Sequence, residues 1–180
     1  MGLFATMPVD DVTVLDIASA VEMTPAAVYY HFASKEQILI EGMERFRDQL
    51  LEQVRANLPA HGDVDGLRAL VEHLLAWTAE RKTPATVYFV TSIGLNLMVE
   101  AVRRETRLDL VDELLGAVRT VRGKTARAEA GVIAVALVSL IETSLASMLN
   151  EDASYRGLGV KKFSAEVGAI ADRIVGLPSL

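Results

Sequence analysis

Cysteine is absent from this 180-residue chain. That excludes disulfide staples and thiolate chemistry and fits a reducing cytoplasm, where the protein is expected. Aromatic residues make up only 6%, while hydrophobic residues reach 51% and are mostly Ala, Leu and Val. Such a mixture suits helices packed on helices, with enough chain to bury a substantial core. The net charge of −6 argues against a protein that coats nucleic acid by charge alone. The start carries no basic segment leading into an apolar core, so no secretory signal is read. His31, His61 and His73 lack metal-ligand spacing. No glycine-rich phosphate loop or nucleophile motif appears, and nothing places an acid, base or nucleophile. Neither an enzyme nor a resident cofactor or metal is expected. No segment alternates as a strand, and no internal repeat is visible.

Helical signals run almost throughout. Thr13 stands before an apolar-periodic run with Asp16 three residues on, which predicts a helix from Val14 to about Val21. Glu22-Met23 makes a turn. Thr24 is a good N-cap and Pro25 suits the first helical position, so a second helix is predicted from Pro25 to Phe32, with Val28 and Phe32 inward. Ser34 and Gln37 cap a third, whose stripe Leu39, Met43, Phe46, Leu50, Val54 and Leu58 steps by three or four. Pro59 to Gly62 ends it. Further helices are predicted over about Asp65–Arg81, Thr83–Arg104 with Thr83-Pro84 as its start, Leu108–Val121 and Ala130–Leu149.

Two short helices joined by a tight turn form the layout of a helix-turn-helix DNA reader. The string IASAVEMTPAAVYYHFASKEQIL, extended back through LFATMPVDDVTVLDIA, resembles the DNA-binding signature of the tetracycline-repressor (TetR) family. The likeness covers about Leu3 to Leu39 in sequence, and the rest of the chain only in helical layout. It implies an all-α protein with a DNA-binding head over 1–45 and a ligand-binding and dimerisation body over 46–180. It also implies that the Pro25–Phe32 helix reads DNA. Pro25, Ala26 and Ala27 would lie near base edges, Tyr29, Tyr30 and His31 near bases or phosphates, and Thr13 and Lys35 on phosphates, with Thr24 also among the DNA-binding residues.

Two features depart from the family pattern. Family members carry an earlier, usually basic helix, most of which is missing here, and the turn position that is usually glycine is Glu22. Between Met1 and Ile40 the only basic residue is Lys35, against Asp10, Asp11, Asp16, Glu22 and Glu36. Since DNA affinity rests on neutralising phosphates, such a head is expected to bind weakly by itself.

In the body, Met43, His73, Trp77, Tyr88, Phe89, Asn96 and Glu142 are candidates to line a pocket for a small lipophilic effector, as broad apolar surface or as polar groups amid apolar runs. For each one taken singly, a packing role is the stronger reading. Arg103, Arg104 and Arg107 read as a solvated helix end, or as partners for an anionic ligand group. The nearly continuous apolar run Ala130–Leu149 is long enough to span a membrane, but Glu142 and the hydroxyl residues around it argue against that. Within it Ala134, Val138, Ile141, Leu145 and Met148 step 4-3-4-3, as do Phe163, Val167, Ile170, Ile174 and Leu177 in the last helix. Two such stripes make an antiparallel pair, and two copies make a four-helix bundle. The resemblance implies a homodimer formed in this way. The expected function is a ligand-released repressor on a palindromic operator. The alternative is a dimeric, ligand-sensing interaction protein of the same fold that no longer binds DNA.

Overall fold

A computed structural model gives the fold and describes residues 1–61, 63, 65–123 and 126–176. Those residues form helices and turns with no strand among them. In chain order come α1 (Gly2–Thr6), a 3-10 turn (Val9–Asp11), α2 (Val14–Ala20), α3 (Pro25–His31), α4 (Lys35–Ala56) and α5 (Gly66–Glu80). They are followed by α6 (Lys82–Thr86), which runs on into a π-helical turn (Val87–Thr91), then α7 (Leu97–Arg122), α8 (Arg127–Leu149), α9 (Ala153–Arg156) and α10 (Gly159–Val175).

The head forms where the cap residues place it. Thr13 and Asp16 make a reciprocal capping box on α2. Thr24 Oγ1 accepts from the Ala27 N–H at 3.2 Å, with Pro25 opening α3. Ser34 Oγ accepts from the Gln37 N–H at 3.3 Å, and Gln37 Oε1 reaches back to the Ala33 N–H at 2.7 Å. The box at α4 thus extends one residue beyond the usual pattern. Val28 is buried as expected, while Phe32 is only half-buried.

α4 crosses position 45 unbroken, so one helix serves both head and body. Its stripe Leu39, Met43, Phe46, Leu50 and Val54 is buried, with Leu58 partly so. α8 lies in the middle of the body. α7 packs chiefly on α8, and α10 chiefly on α5. α8 is the one described helix long and apolar enough to cross a membrane, and half of its most apolar window is buried against its neighbours. The core helix of a packed bundle has that character.

The chain between Arg81 and Arg122 differs from expectation. In place of a helix over Thr83–Arg104 and another over Leu108–Val121, the first stops at Thr91 and α7 runs without a break from Leu97 to Arg122. Gly94 takes φ +72°, and Asn96 Oδ1 accepts from the Met98 and Val99 N–H groups, both at 3.0 Å. That side-chain cap starts a new helix inside an apolar run where hydrophobicity alone gives no boundary. Pro84 sits within the first turn of α6 rather than at its first residue.

Candidate nucleic-acid interface and ligand cavity

α3 stands out from the head. Pro25 and Ala26 are exposed and Ala27 is half-buried. Tyr29 and Tyr30 are 57% and 85% exposed. His31, also exposed, meets Tyr30 edge-on with ring centroids 5.1 Å apart. Small residues on the leading edge let a helix approach base edges, and the phenols offer hydrogen bonds to bases or phosphates. Five of the nine expected DNA contacts, Pro25, Ala26, Tyr29, Tyr30 and His31, therefore share one exposed surface. Thr24 is exposed beside them, with its oxygen engaged as the cap.

Two of the nine are committed elsewhere. Lys35 Nζ donates to the carbonyls of Val9 at 2.8 Å, Asp10 at 2.9 Å and Val12 at 2.8 Å. An ammonium has three donors, and all three are used here to hold the 3-10 turn, so none is left for phosphate. Thr13 Oγ1 donates to Asp16 Oδ2 at 2.6 Å and accepts from the Asp16 N–H at 3.1 Å, so its hydroxyl belongs to the cap. The side-chain and backbone hydrogen bonds from Thr13 hold the Asp16 carboxyl below its ordinary range and keep its charge in place. With Lys35 internal, residues 1–40 present carboxylates and no free ammonium or guanidinium side chain. Glu22 takes φ +55°, in the left-handed region that favours glycine.

In the body, Met43, Trp77, Tyr88 and Phe89 are all buried. The three rings converge on Phe46, which lies 5.6 Å from Trp77, 5.4 Å from Tyr88 and 5.9 Å from Phe89. Phe46 was expected only as part of the α4 stripe; its role as the hub depends on rings brought in by α5 and the π-helical turn. Burial pushes the Tyr88 phenol above its ordinary value. Beside this cluster Leu50, Leu74, Leu110, Ile141 and Glu142 enclose a cavity of only about 10 Å³. That is room for one water at most, so a ligand here needs the helices to part.

Glu142 borders the cavity and is held by Arg107 from α7, which also donates to Ser139 at 2.9 Å. Arg103 donates to the Tyr88 carbonyl and stacks over its ring at 5.4 Å. Arg103 and Arg107 are thus tied into the body and are not a solvated helix end. His73 is half-buried and bonded through Nε2 to Gln53 Oε1 at 2.9 Å. Asn96 is exposed and spent as the α7 cap, which removes it from the pocket.

The expected dimer stripe needs correction. Ala134, Val138, Ile141, Leu145 and Met148 are buried within the subunit, as are Phe163 and Val167, and Ile174 is partly covered. α8 is apolar on more than one side, and the regular 4-3 stripe is the side its own core takes. Val132 at 71%, Val135 at 46% and Ile170 at 41% are the exposed large apolar residues of these two helices. Leu177 lies outside the described residues.

Head and body meet at a defined seam. α1 packs on α6 and on the π-helical turn, Phe4 is buried, and Thr91 Oγ1 donates to the Phe4 carbonyl at 2.7 Å. The same turn carries Tyr88 and Phe89 into the aromatic hub.

Residues 1–41 match the family model described as bacterial regulatory proteins, tetR family. Among curated protein sequences none matches the chain. Several solved structures share the fold. AmtR of Mycobacterium smegmatis superposes with TM-score 0.69 at 20% identity, covering 99% of this chain and 83% of that one. The fatty acid degradation regulator FadR of Bacillus halodurans gives 0.75 at 16% identity, covering 97% and 92%. The TetR-family regulator PfmR of Thermus thermophilus gives 0.68 at 21% identity, covering 99% and 95%.

Proposed function

We propose that the chain, whose residues 1–41 match the family model described as bacterial regulatory proteins, tetR family, is a cytoplasmic, ligand-responsive transcriptional repressor of that family. It binds a palindromic operator as a homodimer and is released by a small lipophilic effector. The observation that carries this reading is α3: a capped helix, small at its leading edge, with Tyr29, Tyr30 and His31 exposed. The exposed residues Val132, Val135 and Ile170 support self-association through α8 and α10.

The effector acts by favouring one separation of the two heads over another. A molecule that parts the helices around Phe46, Tyr88 and Phe89 strains the π-helical turn. The Thr91–Phe4 bond passes that strain to α1. π-helical turns recur at functional sites in helical proteins, which agrees with such a role.

One observation favours a second reading. The head surface is acidic and its lysine is consumed internally. A dimer of this fold that senses a ligand and engages another protein fits that charge better than a DNA reader does. Mobility shift at low salt, on the intergenic DNA beside the chain's own gene, separates the two. A shifted fragment, bound about tenfold more weakly by Tyr30→Ala, is expected, since a good base contact contributes roughly 1–3 kcal/mol. A protein that is dimeric yet shifts no fragment overturns the DNA-reading proposal.

A further inference from the structure

The cavity beside the aromatic hub is sealed unevenly. Nine residues from α4, α5, the π-helical turn, α7 and α8 surround it. Eight of them are buried and apolar, among them Leu50, Phe89, Leu110 and Ile141. The ninth is Glu142, whose side chain keeps 29% of its surface exposed. Glu142 is thus the one lining residue that touches both the cavity and the solvent. It marks the seam between α7 and α8 as the side on which the cavity comes closest to water.

Arg107 holds Glu142 there. Its guanidinium pairs with Glu142 Oε2 and donates to Ser139 Oγ at 2.9 Å, and the Ser139 hydroxyl donates on to the Val135 carbonyl at 2.8 Å. Arg107 precedes Leu110 by three residues, as Ser139 precedes Glu142, so the pair ties α7 to α8 within one turn of the cavity wall. Both charged side chains keep contact with water. The pair is therefore screened, and it can part without stranding a buried charge.

The lining also sets what can be held. Its single ionised group is a carboxylate whose charge Arg107 already balances. An ion carried inside would lose its hydration and meet no free counter-charge. An uncharged apolar molecule avoids that cost and gains from burying its own surface.

We propose that the Arg107–Glu142 pair is a gate on the body cavity, and that the guest it admits is an uncharged apolar molecule rather than an ion. Closed, the pair seals a space of about 10 Å³. When it parts, α7 and α8 separate locally, and the guest displaces side chains such as Leu110 and Ile141. The pair closes again over the bound guest and makes no bond to it, so the gate slows entry and exit alike and leaves affinity nearly unchanged. The inference rests on the effector site of the function proposed above, to which it adds the class of effector and its route.

Stopped-flow fluorescence on the full chain tests this with N-phenyl-1-naphthylamine, which is uncharged and brightens in apolar surroundings. 8-Anilinonaphthalene-1-sulfonate offers the same rings with an anion attached. The uncharged probe is expected to bind once per chain, at least about tenfold more tightly than the sulfonate. Glu142→Gln is expected to speed binding and release of the uncharged probe together, each at least about threefold, with Kd changed by less than about twofold. Arg55→Gln breaks a different pair, Arg55–Glu113 at 2.6 Å between α4 and α7, and is expected to leave both rates unchanged. Rates indifferent to Glu142, rates raised as much by Arg55→Gln, or equal or tighter binding of the sulfonate overturn the proposal while leaving an effector site in place. No binding of the uncharged probe to any variant overturns the gate and the effector site together.

Discussion

At the scale of single residues, Glu22 and Lys35 show how the head is held. Glu22 occupies a left-handed turn position that costs an L-residue roughly 1–2 kcal/mol and glycine almost nothing. After the extra unfolded-state entropy of glycine, Glu22→Gly is expected to stabilise the chain by about 1 kcal/mol, a rise of roughly 2–4 °C in a thermal melt. It also removes a negative charge beside α3 and is expected to strengthen DNA binding. Lys35→Met removes the three bonds that close the 3-10 turn, at an expected cost of about 2 kcal/mol in denaturant unfolding. If Lys35 does not touch phosphate, the salt dependence of DNA binding by that variant keeps the wild-type slope. The sequence marks Lys35 as the one basic residue between Met1 and Ile40, and that scarcity suggests a phosphate contact. Its real partners are carbonyls more than 20 residues away, and no local pattern reveals them. Glu22, by contrast, was marked in the sequence as a departure at a position that usually carries glycine, and the backbone there takes a positive φ all the same.

At the scale of elements, caps decide the boundaries. Thr13 and Thr24 were legible because each precedes an apolar period that begins at once, and Ser34 because Gln37 completes its capping box. Asn96 was not, because apolar residues flank it on both sides and it reads as a polar intruder rather than a cap. Asn96→Ala is expected to cost about 1 kcal/mol and to leave effector affinity unchanged, which thermal melts and a ligand titration check. The packing of α5 on α10 carries a pH signature. Asp172 is buried, its Oδ1 has no hydrogen-bond partner among the described residues, and Arg68, shared with Glu72, lies 3.6 Å from Oδ2. Burial raises its carboxyl above the ordinary value, with Asp65 and Glu72 adding to the rise and Arg68 opposing it. An acid raised on folding costs stability when ionised. That cost is absent below the ordinary carboxylate range, grows as pH climbs toward the raised value, and is complete above it. Asp172→Asn is therefore expected to melt higher than the wild type at neutral pH, with the advantage fading on acidification. Melts across that range check the sign.

At the scale of the whole molecule, the all-helical plan was plain in composition, periodicity and capping, whereas the division into head and body rests on the family resemblance. The way α8 divides its surface was not. Its residues are apolar nearly all round, so spacing alone cannot tell the side facing α7 and α10 from the side left open. Substitutions on the two sides should differ in kind. Val132→Glu is expected to weaken the dimer at least about tenfold while each subunit stays folded. Ala134→Glu buries a charge in the core and is expected to unfold the chain. Sedimentation together with circular dichroism distinguishes the two outcomes. The central claim, a two-fold dimer presenting paired α3 helices to DNA, is tested most directly by hydroxyl-radical footprinting at low salt on the intergenic fragment beside the gene. The account expects two protected patches related by a palindrome and centred about one helical turn apart or slightly more, roughly 34 Å, with Val132→Glu losing both together. Uniform or absent protection under a dimeric protein would contradict it.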